Sequence, residues 1–286
     1  MKHKEGTFSG FGGLQLYYQS WHPDEGKPRV ILPIVHGAGE HSGRYTNVVN
    51  WFVPRGYAVY AFDLRGHGRS AGPRGHINRW DEFREDVRLF LEFIHLQEAN
   101  SSPVFLLGHS MGGLIVLEYA LRNPHGLSGV VASGPVLARV GLSPVLLVLA
   151  KILSGILPRL TLNTGLDATA LSRDQAVVEA YVNDPLVHSL GTPRLGTELT
   201  RAFEWVQAHA AQMQVPCLIV HGSEDRLVPP EGSRIFYEHM TLADKELREY
   251  AGYYHEVFND VGKEQVLADV EAWIERHLPG PTGNTP

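Results

Sequence analysis

Six short apolar runs, separated by helical patterns, constrain this chain most. They are RVILPIVHG (29–37), YAVYAFD (57–63), PVFLLGHS (103–110), SGVVASGP (128–135), PCLIVHGSED (216–225) and ELREYAG (246–252), each bounded by Gly, Pro or Asp. An earlier run, LQLYYQSW (14–21), alternates weakly. Near-continuous apolar strands are buried on both faces, as in a parallel sheet. In WDEFREDVRLFLEFIHLQ (80–97), Trp80, Phe83, Val87, Phe90, Leu91 and Ile94 recur at three- and four-residue steps, the period of an amphipathic helix. Residues 111–122, 230–240 and 262–278 read the same way. The alternation predicts an α/β fold, a mostly parallel central sheet with helices on both faces.

One segment breaks the alternation. Residues 136–205 contain no good strand and several helical stretches, so they read as a helical cap or lid inserted after the sixth strand, GVVAS. The expected organisation is a core of residues 1–135 and 206–278, a cap of 136–205 and a disordered Pro- and Gly-rich tail, 279–286. A length of 286 residues can bury a sizeable core. The net charge of −6 and the lack of dense Lys/Arg runs exclude a nucleic-acid partner. A single cysteine, Cys217, allows no internal disulfide. The N-terminal MKHKEGTFSGFGG has no apolar core of a secretory signal. The most apolar stretch, 140–160, holds Pro144, Lys151, Gly155 and Pro158, poor material for a membrane span. These features point to the cytoplasm, with peripheral contact at membranes.

The third run ends in Gly108-His109-Ser110-Met111-Gly112 and passes at once into a helical pattern. This is G-x-S-x-G in a strand–turn–helix context. A strained turn there lifts the serine hydroxyl above the strand end, and flanking glycines let neighbouring backbone pass without a Cβ clash. The alternative is a serine that merely caps the helix. A serine nucleophile needs a general base, and the base needs an orienting acid. On such a turn the acid follows the serine in the chain and the histidine follows the acid. His255, in the loop of YAGYYHEVFND after the last strand, suits the base; His239 and His277 lie on helical stretches. Asp225, closing LIVHGSED, suits the acid better than its neighbour Glu224. Asp184 belongs to the cap, and Asp63 precedes the serine and is better placed to fix the RGHGRS loop. Two backbone N–H groups should face the developing oxyanion. Met111, after the serine, supplies one; Ala38, in the Gly-rich HGAGEHSGRY (36–45), supplies the other, unless that loop is a plain turn. No G-K-[ST] follows GAGEHSG, no G-x-G-x-x-G is present there, and no histidines have H-E-x-x-H spacing, so no cofactor and no metal are expected.

HGAGEHSGRY, DLRGHGRSAGPRGH, VFLLGHSMGG, LSRD, NDPLV and HGSEDRLVP together resemble the monoacylglycerol lipase group of the α/β-hydrolases, over about residues 6–278. The resemblance implies the same triad, Ser110, Asp225 and His255, and the same oxyanion donors, Ala38 and Met111. It also implies that Glu40, Arg44, His109 and the cap's Tyr181 hold the glycerol headgroup. The chain departs from the group at two places. Glu256 stands where a second histidine is common, and Val228 stands where some animal members have a modifiable cysteine.

In the cap, Leu142, Val145, Leu146, Leu149, Ile152, Leu153 and Ile156 can line one helical face. Part of that stripe must pack on the body; the rest suits an acyl tunnel and transient contact with a membrane or micelle. The expected partner is therefore a small lipid, cleaved as a monoacylglycerol ester through an acyl-enzyme. A lysophospholipase or general carboxylesterase would use the same machinery. A peptidase on the same scaffold, and a non-catalytic ligand-binding protein, are the remaining alternatives.

Overall fold

The computed structural model describes residues 1–98, 102–138 and 151–278. Its main sheet has eight strands: β1 (Lys2–Ser9), β2 (Gln15–His22), β3 (Val30–Val35), β4 (Tyr57–Phe62), β5 (Phe105–His109), β6 (Gly129–Ser133), β7 (Cys217–Gly222) and β8 (Lys245–Tyr250). They lie in the order β1-β2-β4-β3-β5-β6-β7-β8. β1 and β2 pair antiparallel, as do β2 and β4; all other pairs are parallel. Every residue of β3 to β7 is buried, which accounts for their unbroken apolar runs. Pro33 has no N–H to donate. Around it the β3–β5 pairing lapses between the Ile31–Val104 bridge and Ile34–Leu107.

The helices are α1 (Thr46–Phe52), α2 (Asp81–Gln97), α3 (Met111–Arg122), α4 (Gln175–Asn183), α5 (Pro193–Ala208), α6 (Glu231–His239) and α7 (Lys263–Arg276). Successive strand residues face opposite ways. Leu106 thus joins a core with Phe62, Phe83, Phe90 and Leu114, while Phe105 and Leu107 join another with Phe52, Val220 and Trp273. Two elements were not legible in the sequence. β1 is mostly exposed and carries charge at Lys2, Lys4 and Glu5, and α1 is only seven residues long.

The expectation that 136–205 holds no strand needs a small correction. Leu162–Asn163 and Leu190–Gly191 pair antiparallel, each too short to show as an apolar run. Elsewhere this segment contributes α4 and most of α5. It lies over the loops that follow β3 and β4. His188 N–H donates to Gly39 O at 2.8 Å, His188 Nε2 lies 3.1 Å from Gly66 O, and the Thr192 hydroxyl donates to Gly75 O at 3.1 Å. Residues 140–150 of the apolar stripe, and the tail 279–286, fall outside the described residues. Among the described residues no helix is long and apolar enough to cross a membrane.

α3 approaches the sheet closely because it starts on glycines. A Cβ at Gly108 would sit 2.3 Å from Gly112 O, and one at Gly112 would sit 2.1 Å from Val35 O and 2.5 Å from His36 O. Backbone cannot yield to such contacts cheaply. Gly112→Ala should therefore cost about 3 kcal/mol in urea unfolding. Gly196→Ala, in α5 with nothing within 4 Å of the added carbon, should be neutral or stabilising by up to about 1 kcal/mol. Equal stability of the two variants would contradict this account of the turn.

Candidate active site

Ser110 joins β5 to α3 with φ 55° and ψ −117°. Among the described residues it is the one non-glycine with positive φ. Such strain persists only where the surroundings impose it. Here Ser110 N–H donates to Ser133 O at 2.8 Å, and Ser110 O accepts from Leu114 N at 3.1 Å and from Val136 N at 3.2 Å. The side chain makes no capping hydrogen bond to α3. The helix-cap alternative thus lacks its defining contact, and the hydroxyl is left to other chemistry at the carboxyl edge of the sheet.

Asp225 follows β7 and His255 follows β8, and the structure brings them together: His255 Nδ1 lies 2.6 Å from Asp225 Oδ2. The other carboxylate oxygen, Oδ1, accepts from Leu227 N at 2.9 Å and Val228 N at 2.8 Å. Burial opposes the charge on Asp225, but His255 and His221 beside it hold its pKa well below the ordinary carboxylate range. Burial likewise opposes a proton on His255. The Asp225 carboxylate and its hydrogen bond, with Glu256 and Glu40 behind, outweigh that and raise the imidazole above 6.5. Burial pushes the neighbouring His109 down to about 4, helped by repulsion from His255, whose ring centroid is 4.7 Å away.

Ser110 and His255 meet across residues 133 and 134. Ser110 is bonded to Ser133 O, and a Cβ at Gly134 would sit 3.3 Å from both Cε1 and Nδ1 of His255. No hydrogen bond joins the Ser110 hydroxyl to His255 among the described residues. Catalytic contacts of this kind commonly tighten only when substrate is bound. The loop after β3 lies against the serine from the other side, since a Cβ at Gly37 would sit 3.1 Å from Ser110 Cβ. Ala38 is exposed at the tip of that loop, and Met111 is the first residue of α3. Ala38 thus follows the residue that lies against Ser110, and Met111 follows Ser110 itself.

Glu40 and Arg44 are buried and engaged with protein partners. Glu40 Oε1 accepts from Gly37 N at 2.6 Å and from the Tyr45 hydroxyl at 2.9 Å, and its Oε2 accepts from Arg44 Nη1 at 2.9 Å. Arg44 also donates to both oxygens of Glu256, at 2.6 and 2.9 Å. Burial alone would raise the pKa of Glu40; Arg44, foremost among its neighbours, brings it down to about 2. The loop after β3 is thus riveted to the residue next to His255. Tyr181 of α4 covers this rivet, with the Arg44 guanidinium 4.7 Å from its ring centre. The Tyr181 hydroxyl and His109 Nε2 take no hydrogen bond among the described residues, while His109 Nδ1 lies 3.1 Å from Ser133 O. Sequence reasoning missed Glu256 as a partner of Arg44, and it missed His221. The replacement of a histidine by Glu256 was the one visible sign that this loop is held differently. Asp63 acts as anticipated: Oδ1 accepts from Ser42 N at 2.8 Å and Oδ2 from Arg69 N at 2.7 Å.

The family described as serine aminopeptidase, S33 matches residues 26–262. A monoacylglycerol lipase of Mycolicibacterium smegmatis is 42% identical over 276 residues, covering 96% of this chain and 98% of that protein. The crystal structure of Paleococcus ferrophilus monoacylglycerol lipase superposes with a TM-score of 0.82 at 37% identity, covering 92% of this chain and 99% of the other. A soluble variant of monoglyceride lipase from Saccharomyces cerevisiae, in complex with a substrate analog, superposes with a TM-score of 0.85 at 26% identity, over 97% and 95% of the two chains.

The electrostatics of the site are open to direct titration. In an NMR pH titration, the His255 imidazole should take up its proton above pH 6.5, whereas His109 should stay neutral down to about pH 4. Asp225→Asn removes the leading attraction and leaves burial in control, so His255 should then titrate below 6.5. A wild-type His255 that titrates below His109 would contradict the geometry.

Proposed function

We propose that this chain, which belongs to the serine aminopeptidase S33 family and to the monoacylglycerol lipase-like group of α/β-hydrolases, cleaves the acyl ester of monoacylglycerols to fatty acid and glycerol. The observation that carries the reading is the 2.6 Å contact of His255 with Asp225, set beside a strained, uncapped Ser110 at the carboxyl edge of the sheet. In this reading His255 Nε2 takes the Ser110 proton as Oγ attacks the ester carbonyl. Asp225 accepts from Nδ1 and stabilises the imidazolium that forms. The Ala38 and Met111 amides hold the oxyanion, and the amino end of α3 adds its dipole. His255 then protonates the departing glycerol oxygen. The acyl group stays on Ser110 until His255 draws a proton from water, which attacks the acyl carbon and frees the enzyme.

The headgroup assignment divides the four residues implied by the resemblance. Glu40 and Arg44 form the charged floor that shapes the site. The Tyr181 hydroxyl and His109 Nε2 have hydrogen-bonding capacity left for the glycerol hydroxyls. We assign residues 136–205 as the cap and the rest of 1–278 as the core. Eight of the twelve exposed large hydrophobic residues among those described lie in the cap: Ile152, Ile156, Leu157, Leu160, Leu162, Leu166, Val182 and Leu190. That density supports transient contact with a membrane or micelle. Each acyl methylene buried contributes about 0.8 kcal/mol, so chain contacts dominate substrate binding.

A lysophospholipase or general carboxylesterase is the second reading, because the same groups serve any acyl ester; a peptidase would need a site for a substrate amine. A non-catalytic ligand-binding protein would not need the strained serine and the paired acid and base together. Ser110→Ala should fold normally and lose hydrolysis by about 10⁴-fold or more. Wild-type turnover by that variant would end the triad reading. In a hydrolysis panel at equal chain length, monoacylglycerol should be cleaved faster than lysophosphatidylcholine; the reverse order would assign the phospholipid headgroup instead. A fluorophosphonate probe that failed to label Ser110 would favour the non-catalytic protein.

A further inference from the structure

A second imidazole meets the acid of the triad. His221 lies in β7, fully buried, with both ring nitrogens engaged. Its Nε2 sits 3.1 Å from Asp225 Oδ2 and 3.0 Å from Val228 O, and its Nδ1 sits 2.8 Å from the Ser233 hydroxyl in α6. The tautomer follows from the partners. A carboxylate and a carbonyl only accept, so Nε2 carries the proton. In the neutral ring Nδ1 is then the acceptor, and the Ser233 hydroxyl donates to it.

The consequence falls on Asp225. An ionised carboxylate offers about four acceptor positions. Oδ1 fills two with the Leu227 and Val228 amides, and Oδ2 fills one with His255 Nδ1–H. His221 Nε2–H fills the last. The two amides fix where Asp225 stands, and the two imidazoles share the oxygen that does the orienting. A donor on Oδ2 draws negative charge towards itself and away from the proton on His255. Its loss leaves Asp225 in place by Oδ1 and lets Oδ2 hold the His255 proton more strongly.

We propose that His221 is a positioning residue of the hydrolytic site, which, with Ser233 behind it, shares Asp225 Oδ2 with His255 and thereby weakens the hold of the acid on the catalytic proton. The proposal rests on the triad reading above. The other groups facing His255 are Glu256, Glu40 and the ring of His109, with Arg44 tying the two glutamates together. None of them touches His221, so they form a constant background when it is changed. Glu249, on the neighbouring strand β8, is the further carboxylate that senses His221.

Two amides separate the contacts. In His221→Gln the amide nitrogen can stand where Nε2 stood and still donate to Asp225. In His221→Asn the shorter side chain stops near the place of Nδ1, keeps the neighbourhood of Ser233 and loses Asp225. Measured as kcat/KM for a monoacylglycerol against pH, the acidic limb of the Asn variant should move up by about half a pH unit, which is about a threefold loss of activity on that limb. KM should be unchanged, and the Gln variant should keep the wild-type limb. Coincident profiles for wild type and the Asn variant overturn the proposal. So does an equal displacement in both variants that follows their melting temperatures, which is what mere packing would produce. If neither variant folds, Ser233→Ala tests the same chain of contacts: a smaller upward shift supports it and an unmoved limb refutes it. Hydrolysis surviving Ser110→Ala would instead overturn the triad reading itself, whatever the His221 variants do.

Discussion

Backbone amides that run past the carboxyl end of a strand have no ladder to donate to, and a buried N–H without an acceptor is costly. In this protein buried carboxylates accept them. Glu40 takes Gly37 N, Asp63 takes Ser42 N and Arg69 N, and Asp225 takes Leu227 N and Val228 N. Asp260 takes Arg173 N, Tyr254 N and Val261 N, each at 2.8 Å. Loops after β3, β4, β7 and β8 are thus fixed by the same device. Each loop gains a rigid shape from the carboxylate it closes around. The edge of the sheet becomes a rigid scaffold that presents Ser110 and His255 on neighbouring loops.

Several anions crowded beneath one imidazole need a counter-charge, and Arg44 supplies it. Its guanidinium spans Glu40 and Glu256, with the side chain only 9% exposed. A planar fork suits two carboxylates at once in a way that an ammonium does not. The arrangement also sets the sign of the field at His255. Removing any one member of a buried, paired network leaves its partners uncompensated, which is why such networks hold their geometry. Burial by itself would keep His255 neutral; the residual negative charge of Asp225, Glu256 and Glu40 makes it a stronger base than a free imidazole.

Much of this was legible before any coordinates. The central strands showed as unbroken apolar runs because both faces of β3 to β7 are covered, and four of the helices showed because their apolar faces repeat. The contact of Asp225 with His255 was legible because each follows a strand in a fixed order. What escaped has physical reasons. β1 lies at an edge, exposed and charged, so it has no apolar period. α1 is too short to carry one. The Arg44–Glu256 pair joins residues 212 apart in the chain, and no local pattern announces such a contact. His221 and Asp225 are only four apart, but a histidine inside an apolar strand looks like any buried polar residue until its second nitrogen is found on Ser233. Glu40 and Arg44, which the resemblance implies as headgroup contacts, are both engaged with protein partners.

The segment 136–205 divides along the same physical line. Residues 171–192 are tied to the loops after β3 and β8. Leu171 O accepts Glu256 N at 2.8 Å, Arg173 pairs with Asp260 at 2.9 Å, His41 Nε2 lies 2.9 Å from Asp184 Oδ2, and His188 N donates to Gly39 O at 2.8 Å. These bonds engage the loops carrying the proposed base and one proposed oxyanion donor. Lifting this part of the cap as a rigid body would break them together and disturb the groups it covers. Residues 152–166 carry six of the exposed apolar side chains, from Ile152 to Leu166. The two stretches are joined, with Leu162–Asn163 paired against Leu190–Gly191 and Thr164 N donating to Ser189 O at 2.7 Å, so the exposed apolar surface is held in register with the loops that the segment covers.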